Sequence, residues 1–469
     1  MSMRYLLISP PKKGIRMFIE SPPIGLGYVA TTLRKLGHTP EIKDCLVENW
    51  DTEKIVSHIN DTRPGAIGVN VFSTALQSTK ILLEEVKKLN YHPLIIVGGP
   101  HASGASEHIL NYLTEADFAF KGEAEIPLIE FEEYQQGKRN LRAVTGLIYR
   151  ENGNIKVNRN IEYKNIEEFG FPAWDLIDPR KYFKQVNVGD KSINVHFSRG
   201  CPFACQFCVK LGKVVRWRSL EHIWQEILML NKDYGVERFI INDEGFTMYP
   251  DFVKKFCRHT ISQGNRFRFF TATGLRLNRV DDEMLTLMKE ANFERSFGVG
   301  IESAVPRVRQ ELMNKHLKQE ELEKGLEILN RNGFKPVGNF ILGFPGETKE
   351  ELKQSVRWAC KSKWLHGANF VPFLPLPGGE ATERLFQTGE LPKNFDFTKI
   401  NLSVVVYAPK GMTIDELDKY RAWAVWKYNS SPRMLWHYIS DWGRCKRAIV
   451  TFLRIFLPNW MLPKDWRRR

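Results

Sequence analysis

Two long stretches of this chain repeat one alternation, a short apolar run followed by a longer segment whose apolar residues recur every three or four positions. In the first stretch Arg4–Ser9, Glu41–Leu46, Ala66–Phe72, Leu94–Gly99 and Phe118–Gly122 read as strands, and Gly25–Leu36, Glu53–Asn60, Ala75–Asn90 and Ile126–Gln136 as the helices between them. In the second, strands are expected at Ile193–Ser198, Arg238–Asn242, Phe267–Thr271, Ser296–Ile301, Val337–Leu342 and Asn369–Phe373. Helices are expected there at Ser219–Tyr234, Asp251–Ser262, Asp281–Glu290, Glu320–Asn332 and Lys349–Lys361. A helix between two strands brings the second back parallel to the first, so the pattern restricts the fold to α/β architectures. The first series predicts a doubly wound sheet and the second a partial TIM-type barrel. In both, ligands gather beyond the carboxyl ends of the strands.

The expected divisions are residues 1–140, a connector at 141–190, the barrel at 191–380 and a mostly helical extension at 381–469. Within the connector, Thr145–Tyr149 and Lys156–Asn158 flank Glu151-Asn152-Gly153-Asn154, a hairpin turn because Asn-Gly accepts positive φ. Hydrophobic residues at 43% and charged residues at 26% exclude disordered and collagen-like classes. No apolar run reaches the roughly 18 residues that span a bilayer.

Of the formal charge of +14, half lies in residues 433–469, where nine Lys and Arg stand against Asp441 and Asp465. Six of the 12 Trp fall between Trp423 and Trp466. Basic residues beside Trp and Leu suit a segment lying on an anionic membrane surface, and equally suit a helix that covers the open end of the barrel. Nucleic acid is the weaker partner, because no RNA-binding module is recognisable. The expected compartment is the cytoplasm, with peripheral contact at the membrane surface if the tail binds lipid.

Directly after the first barrel strand comes Ser198-Arg199-Gly200-Cys201-Pro202-Phe203-Ala204-Cys205-Gln206-Phe207-Cys208. Its CxxxCxxC spacing offers three thiolates and no fourth. Structural zinc normally takes four Cys or His ligands, and Cys45, Cys257, Cys360 and Cys445 stand singly. Seven Cys in 469 residues, a sparse and odd set without a secretory signal, argue against a disulfide framework and point to a reducing compartment. Three thiolates on a 4Fe-4S cluster would leave one iron open to an outside ligand.

At these residues the chain resembles the radical S-adenosylmethionine (SAM) superfamily, with Phe207 in the aromatic position beside the adenine. The resemblance implies that Cys201, Cys205 and Cys208 hold a 4Fe-4S cluster. Its open iron would bind the methionine moiety of SAM, whose reductive cleavage yields an adenosyl radical. The same resemblance assigns Asp243 and Glu244, after the second barrel strand, to the SAM amino group. It assigns Glu302 and Ser303, after the fourth, to the ribose and methionine portion, and the fifth-strand element containing Gly338 and Gly343 to the adenine. Taken singly, an acid there could cap a helix and a glycine could make a turn. Arg218 is a candidate for the SAM carboxylate or an ordinary charge, and Ser219 a helix cap.

The strand ends of the first series resemble cobalamin-binding domains. Ser73 and Leu76 match the SxL element and Gly98-Gly99 the GG element that hold the nucleotide tail, while Gly122-Glu123 follows the fifth strand. Any one of these turns could merely cap a strand. Pro10-Pro11-Lys12-Lys13-Gly14 stands where a DxHxxG loop would supply a histidine, so the implied cobalamin is base-off without a His ligand.

The whole resembles the cobalamin-binding class of radical SAM enzymes: a Rossmann-like cobalamin-binding domain, a partial (β/α)6 TIM-type barrel and a helical extension. That class implies methyl transfer to an unactivated carbon or phosphorus of a small-molecule or lipid-like substrate, with an external electron donor such as flavodoxin or ferredoxin. Competing readings are an oxidative cyclase without net methyl transfer and a non-catalytic cofactor-binding regulator.

Overall fold

The computed structural model describes residues 2–11, 21–183, 190–209, 212–401 and 404–435. Its N-terminal part is a seven-stranded sheet in the order β2-β1-β3-β4-β5-β6-β7. The strands are β1 (Arg4–Ser9), β2 (Thr39–Asp44), β3 (Ala66–Asn70), β4 (Leu94–Gly98), β5 (Phe118–Phe120), β6 (Leu147–Glu151) and β7 (Asn154–Val157). Strands β1 to β5 run parallel, and β6 and β7 are antiparallel.

Alternation along the pleat sends Leu6 and Ile8 into one core with Ile67, Val69, Ile95 and Val97. Tyr5 and Leu7 enter the other, which continues through Tyr28, Trp174 and Ile177 into Ile193, Val195 and Phe197. Sheet and barrel therefore share one apolar core. The hairpin expected within a connector is instead part of the sheet. Leu147, Ile148 and Tyr149 are buried against β5, whose edge would otherwise carry unpaired backbone groups.

The expected helices form at Ile24–Lys35, Thr52–Thr62, Leu76–Lys87 and Glu125–Gln135. A further short helix, Pro100–Ala105, was not anticipated; it begins with proline at its first position, directly after Gly99.

A two-residue antiparallel pair, β9 (Ser198–Arg199) with β10 (Arg216–Trp217), follows β8 (Ser192–Val195). The barrel then continues with β11 (Arg238–Ile241), β12 (Arg268–Thr271), β13 (Ser296–Glu302), β14 (Lys335–Leu342) and β15 (Gly367–Pro372). The six barrel strands are parallel and fall into two halves, β12-β11-β8 and β13-β14-β15. Among the described residues the halves meet at one parallel bridge, Phe269 to Phe293. Beside this seam Gly274 has φ +77°, and a β-carbon there would stand 1.7 Å from the Gly298 carbonyl oxygen.

Helix Ile414–Asn429 closes over β15 and carries a full capping box between Thr413 and Glu416. Most of the basic, Trp-rich segment, residues 436–469, lies outside the described residues, so the expectation of a membrane-facing or covering tail is not addressed. Among the described residues no helix is long and apolar enough to cross a membrane.

Candidate active site

The Cys loop leaves the barrel through β9 and returns through β10, so its ends are stapled at the carboxyl end of the first barrel strand. Gly200 makes the exit possible: it has φ +96°, and a β-carbon would stand 2.3 Å from the Val214 carbonyl oxygen. The Cys201 N–H donates to the Gly212 carbonyl at 3.1 Å and the Gln206 N–H to the Met313 carbonyl at 3.0 Å. Asn314 Nδ2 donates to the Ala204 carbonyl at 3.0 Å, and the Ala381 N–H to the Gln206 carbonyl at 2.9 Å.

Cys205 is buried, Cys201 half-buried and Cys208 exposed. A hydrogen bond from Cys208 holds the Cys205 thiol down at about 6; burial opposes this, and Lys315 and Arg276 assist. Burial pushes Cys201 up. Among the described residues no three His, Cys, Asp or Glu side chains close on a point where one metal ion would sit. A cubane cluster offers a separate iron to each thiolate and asks for spaced ligands. The donor set, three thiols on one pinned loop and flanked by cations, fits such a cluster.

Two of the acids and hydroxyls expected at SAM face elsewhere. Asp243 is fully buried and accepts from the Phe197 N–H at 2.8 Å and the Ser198 hydroxyl at 2.7 Å. It anchors the root of the Cys loop and presents no surface to a ligand. Ser303 is likewise buried, its hydroxyl 3.0 Å from that of Ser355 and accepting from the Val305 N–H. Two glycines serve packing. A β-carbon on Gly338 would meet Phe340 at 2.9 Å and Ile301 at 3.0 Å on the outer face of β14, away from the lumen. Gly343, at φ +74°, makes room for Leu417.

Other expected residues do meet at the strand ends. Exposed Glu244 accepts from the Gly200 N–H at 2.7 Å, next to Cys201. Phe207 lies under the Lys315 ammonium, 5.7 Å from its ring centroid. Glu302 follows an irregularity at the end of β13, has φ +63°, and pairs with Lys315 at 2.7 Å. Burial pulls the Lys315 ammonium down, but Glu302 and the Cys205 thiol outweigh it and the net shift is upward. Gly300 leaves room for this pair, since a β-carbon would stand 2.5 Å from Glu302 Oε1.

Sequence reasoning missed Lys315 and Arg276. Neither lies in a recognisable pattern, and both reach the loop from segments far along the chain. Arg218 is not a surface charge: it is buried against Glu226 at 2.5 Å, and Glu226 also accepts from Trp174 Nε1 at 2.7 Å.

At the carboxyl edge of the parallel sheet, Gly98 faces space in which a β-carbon would meet nothing within 4 Å. Gly99 has φ +94°, and a β-carbon would stand 2.1 Å from Asn70 Oδ1. The Ser73 hydroxyl is 2.8 Å from His101 Nδ1, a ring that burial keeps neutral by lowering its pKa to about 4. Leu76, expected among the cofactor contacts, packs instead into the sheet's own core. Helix Pro100–Ala105 carries this edge onto the barrel. A β-carbon at Gly104 would stand 2.1 Å from the Pro377 carbonyl oxygen and 3.4 Å from Val209, the residue after Cys208. Glu123 pairs with Arg216 at 2.6 Å and Glu125 with Arg199 at 2.7 Å, so the sheet grips both strands that root the Cys loop.

Residues 195–359 match the radical SAM superfamily and residues 18–132 the B12 binding domain. The chain belongs to the cobalamin-binding radical SAM enzymes. The "Uncharacterized methyltransferase PH0819" of Pyrococcus horikoshii is 26% identical over 97% of this chain and 99% of its own length. The anaerobic magnesium-protoporphyrin IX monomethyl ester cyclase of Rubrivivax gelatinosus is 25% identical over 88% of this chain and 75% of its own. Among solved structures, the radical SAM methyltransferase TsrM of Kitasatospora setae, bound to cobalamin and a [4Fe-4S] cluster, superposes with a TM-score of 0.68. It is 19% identical, over 90% of this chain and 84% of its own. This radical SAM enzyme has the Rossmann-like and partial-barrel architecture of its class, and its cofactors are a 4Fe-4S cluster, SAM and cobalamin.

Proposed function

We propose that the chain is a cobalamin-dependent methyltransferase acting on a small-molecule substrate. The observation that carries this is the joint between helix Pro100–Ala105, Val209 and Pro377, which brings the open edge at Gly98 to the Cys loop. A methyl carrier and a radical source must address one substrate, and adjoining sites permit that. When bound, the cluster delivers an electron that cleaves SAM, and cobalamin carries the methyl group.

Within this reading Cys201, Cys205 and Cys208 ligate the cluster. Phe207 gives the adenine an apolar wall, and Glu302, held by Lys315, presents a carboxylate to the polar part of SAM. Glu244 fixes Gly200 and with it the position of Cys201. Gly98 and Gly99 admit the cobalamin nucleotide tail close to the backbone, with Ser73 beside it, and His101, tied to Ser73, does not ligate cobalt. Electrons come from a one-electron donor of the flavodoxin or ferredoxin kind. Anaerobic reconstitution with SAM and a reductant tests the reading: deoxyadenosine is expected from the wild type and not from Cys205→Ala. Equal yields would refute it.

The likeness to the R. gelatinosus cyclase favours a second reading, radical oxidation without methyl transfer. Product mass separates the two, a gain of one CH2 against a loss of hydrogen or gain of oxygen. A lipid-like substrate rests on the composition of residues 433–469 alone. Sedimentation with anionic liposomes, abolished by removing those residues, is its test.

A further inference from the structure

Arg276 stands two residues after the seam glycine Gly274, and its guanidinium carbon lies over the Cys loop, 3.4 Å from the ring centroid of Phe203. Phe203 sits between Cys201 and Cys205. The guanidinium donates from Nη2 to the carbonyls of Lys315 at 2.7 Å and His316 at 3.1 Å, and from Nε to Asn278 Oδ1 at 3.1 Å. Every one of these acceptors is neutral. Among the described residues no carboxylate stands within ion-pair distance of Arg276, whereas Lys315, Arg199, Arg216 and Arg218 each have at least one. The favourable charges acting most strongly on Arg276 are the thiols of Cys205 and Cys201.

Arg276 is half-buried, and a cation partly withdrawn from water without a carboxylate partner is better satisfied when another anion faces it. A 4Fe-4S cluster on three thiolates carries net negative charge, and more after it accepts an electron. We propose that Arg276 is a positioning residue that supplies the countercharge of the cluster loop and raises the reduction potential of the cluster. This rests on the reading that the three cysteines hold that cluster. Through Phe203 the guanidinium fixes the loop between two ligands, and through its charge it favours the reduced state, as hydrogen bonding and charge near such clusters do generally.

The test is redox titration, followed by electron paramagnetic resonance, of the anaerobically reconstituted full chain without SAM, beside Arg276→Gln and Arg276→Lys. The Gln variant is expected to keep its iron and sulfide and to titrate at a more negative potential, with the Lys variant near wild type. If the Gln variant assembles no cluster while the Lys variant does, the countercharge is again supported. An unshifted potential in Arg276→Gln would overturn the proposal, as would equal loss of cluster in both variants, which would trace the role to guanidinium geometry. No cluster in the wild type would instead defeat the ligand assignment on which the proposal stands.

Discussion

Burial holds the Asp243 carboxyl up at about 7, although the Ser198 hydroxyl and the Phe197 N–H both pull it down. In the unfolded chain the same group titrates near its ordinary value of about 4. Between those values the unfolded state releases a proton that the folded state keeps, so this group's contribution to stability is present at low pH and is lost as pH rises toward 7. The slope reaches at most about 1.4 kcal/mol per pH unit. Asparagine can accept from the Phe197 N–H and donate to the Ser198 oxygen without titrating. Asp243→Asn is therefore expected to gain on the wild type by about 1 kcal/mol per unit from pH 5 to 7, read as the difference between urea-unfolding curves. Curves that stay parallel across that range would refute it. The residue type was legible as polar and near the site; its inward direction was not, because only the packed barrel closes it off.

At the scale of elements, the barrel is two three-stranded sheets joined at one bridge, and the seam depends on the close passage of Gly274 beside Gly298. A side chain at Gly274 would meet backbone, which cannot swing aside, and would take on a left-handed φ as well. Gly274→Ala is expected to destabilise by about 3 kcal/mol and to lower the thermal midpoint, checked by circular dichroism. An unchanged midpoint would show that the seam gives. The strands themselves were legible to within a few residues, because a buried apolar run between helical periods leaves a local signal. The division into halves had no such signal, since it depends on which strand edges come within hydrogen-bonding distance.

For the whole molecule, the grip of Glu123 and Glu125 on Arg216 and Arg199 joins the sheet to the strands that root the Cys loop. Glu123→Gln with Glu125→Gln leaves two largely buried guanidinium groups without carboxylates, at a cost of about 3 kcal/mol or more. The double variant is expected to split calorimetric unfolding into separate transitions for sheet and barrel, where the wild type gives more nearly one. A single transition at the wild-type temperature would show that the shared core around Tyr28, Trp174 and Phe197 is sufficient alone. By itself the sequence determined the two α/β units, their order, and the contiguous three-thiol loop, since periodicity and spacing are local properties of a chain. Tertiary structure alone decided that Asp243 and Ser303 turn inward, that Glu123 pairs with Arg216, and that Lys315 and Arg276 reach the Cys loop. Those outcomes depend on charges meeting across long sequence separations, where the requirement to pair or solvate each buried charge is settled only when the elements pack.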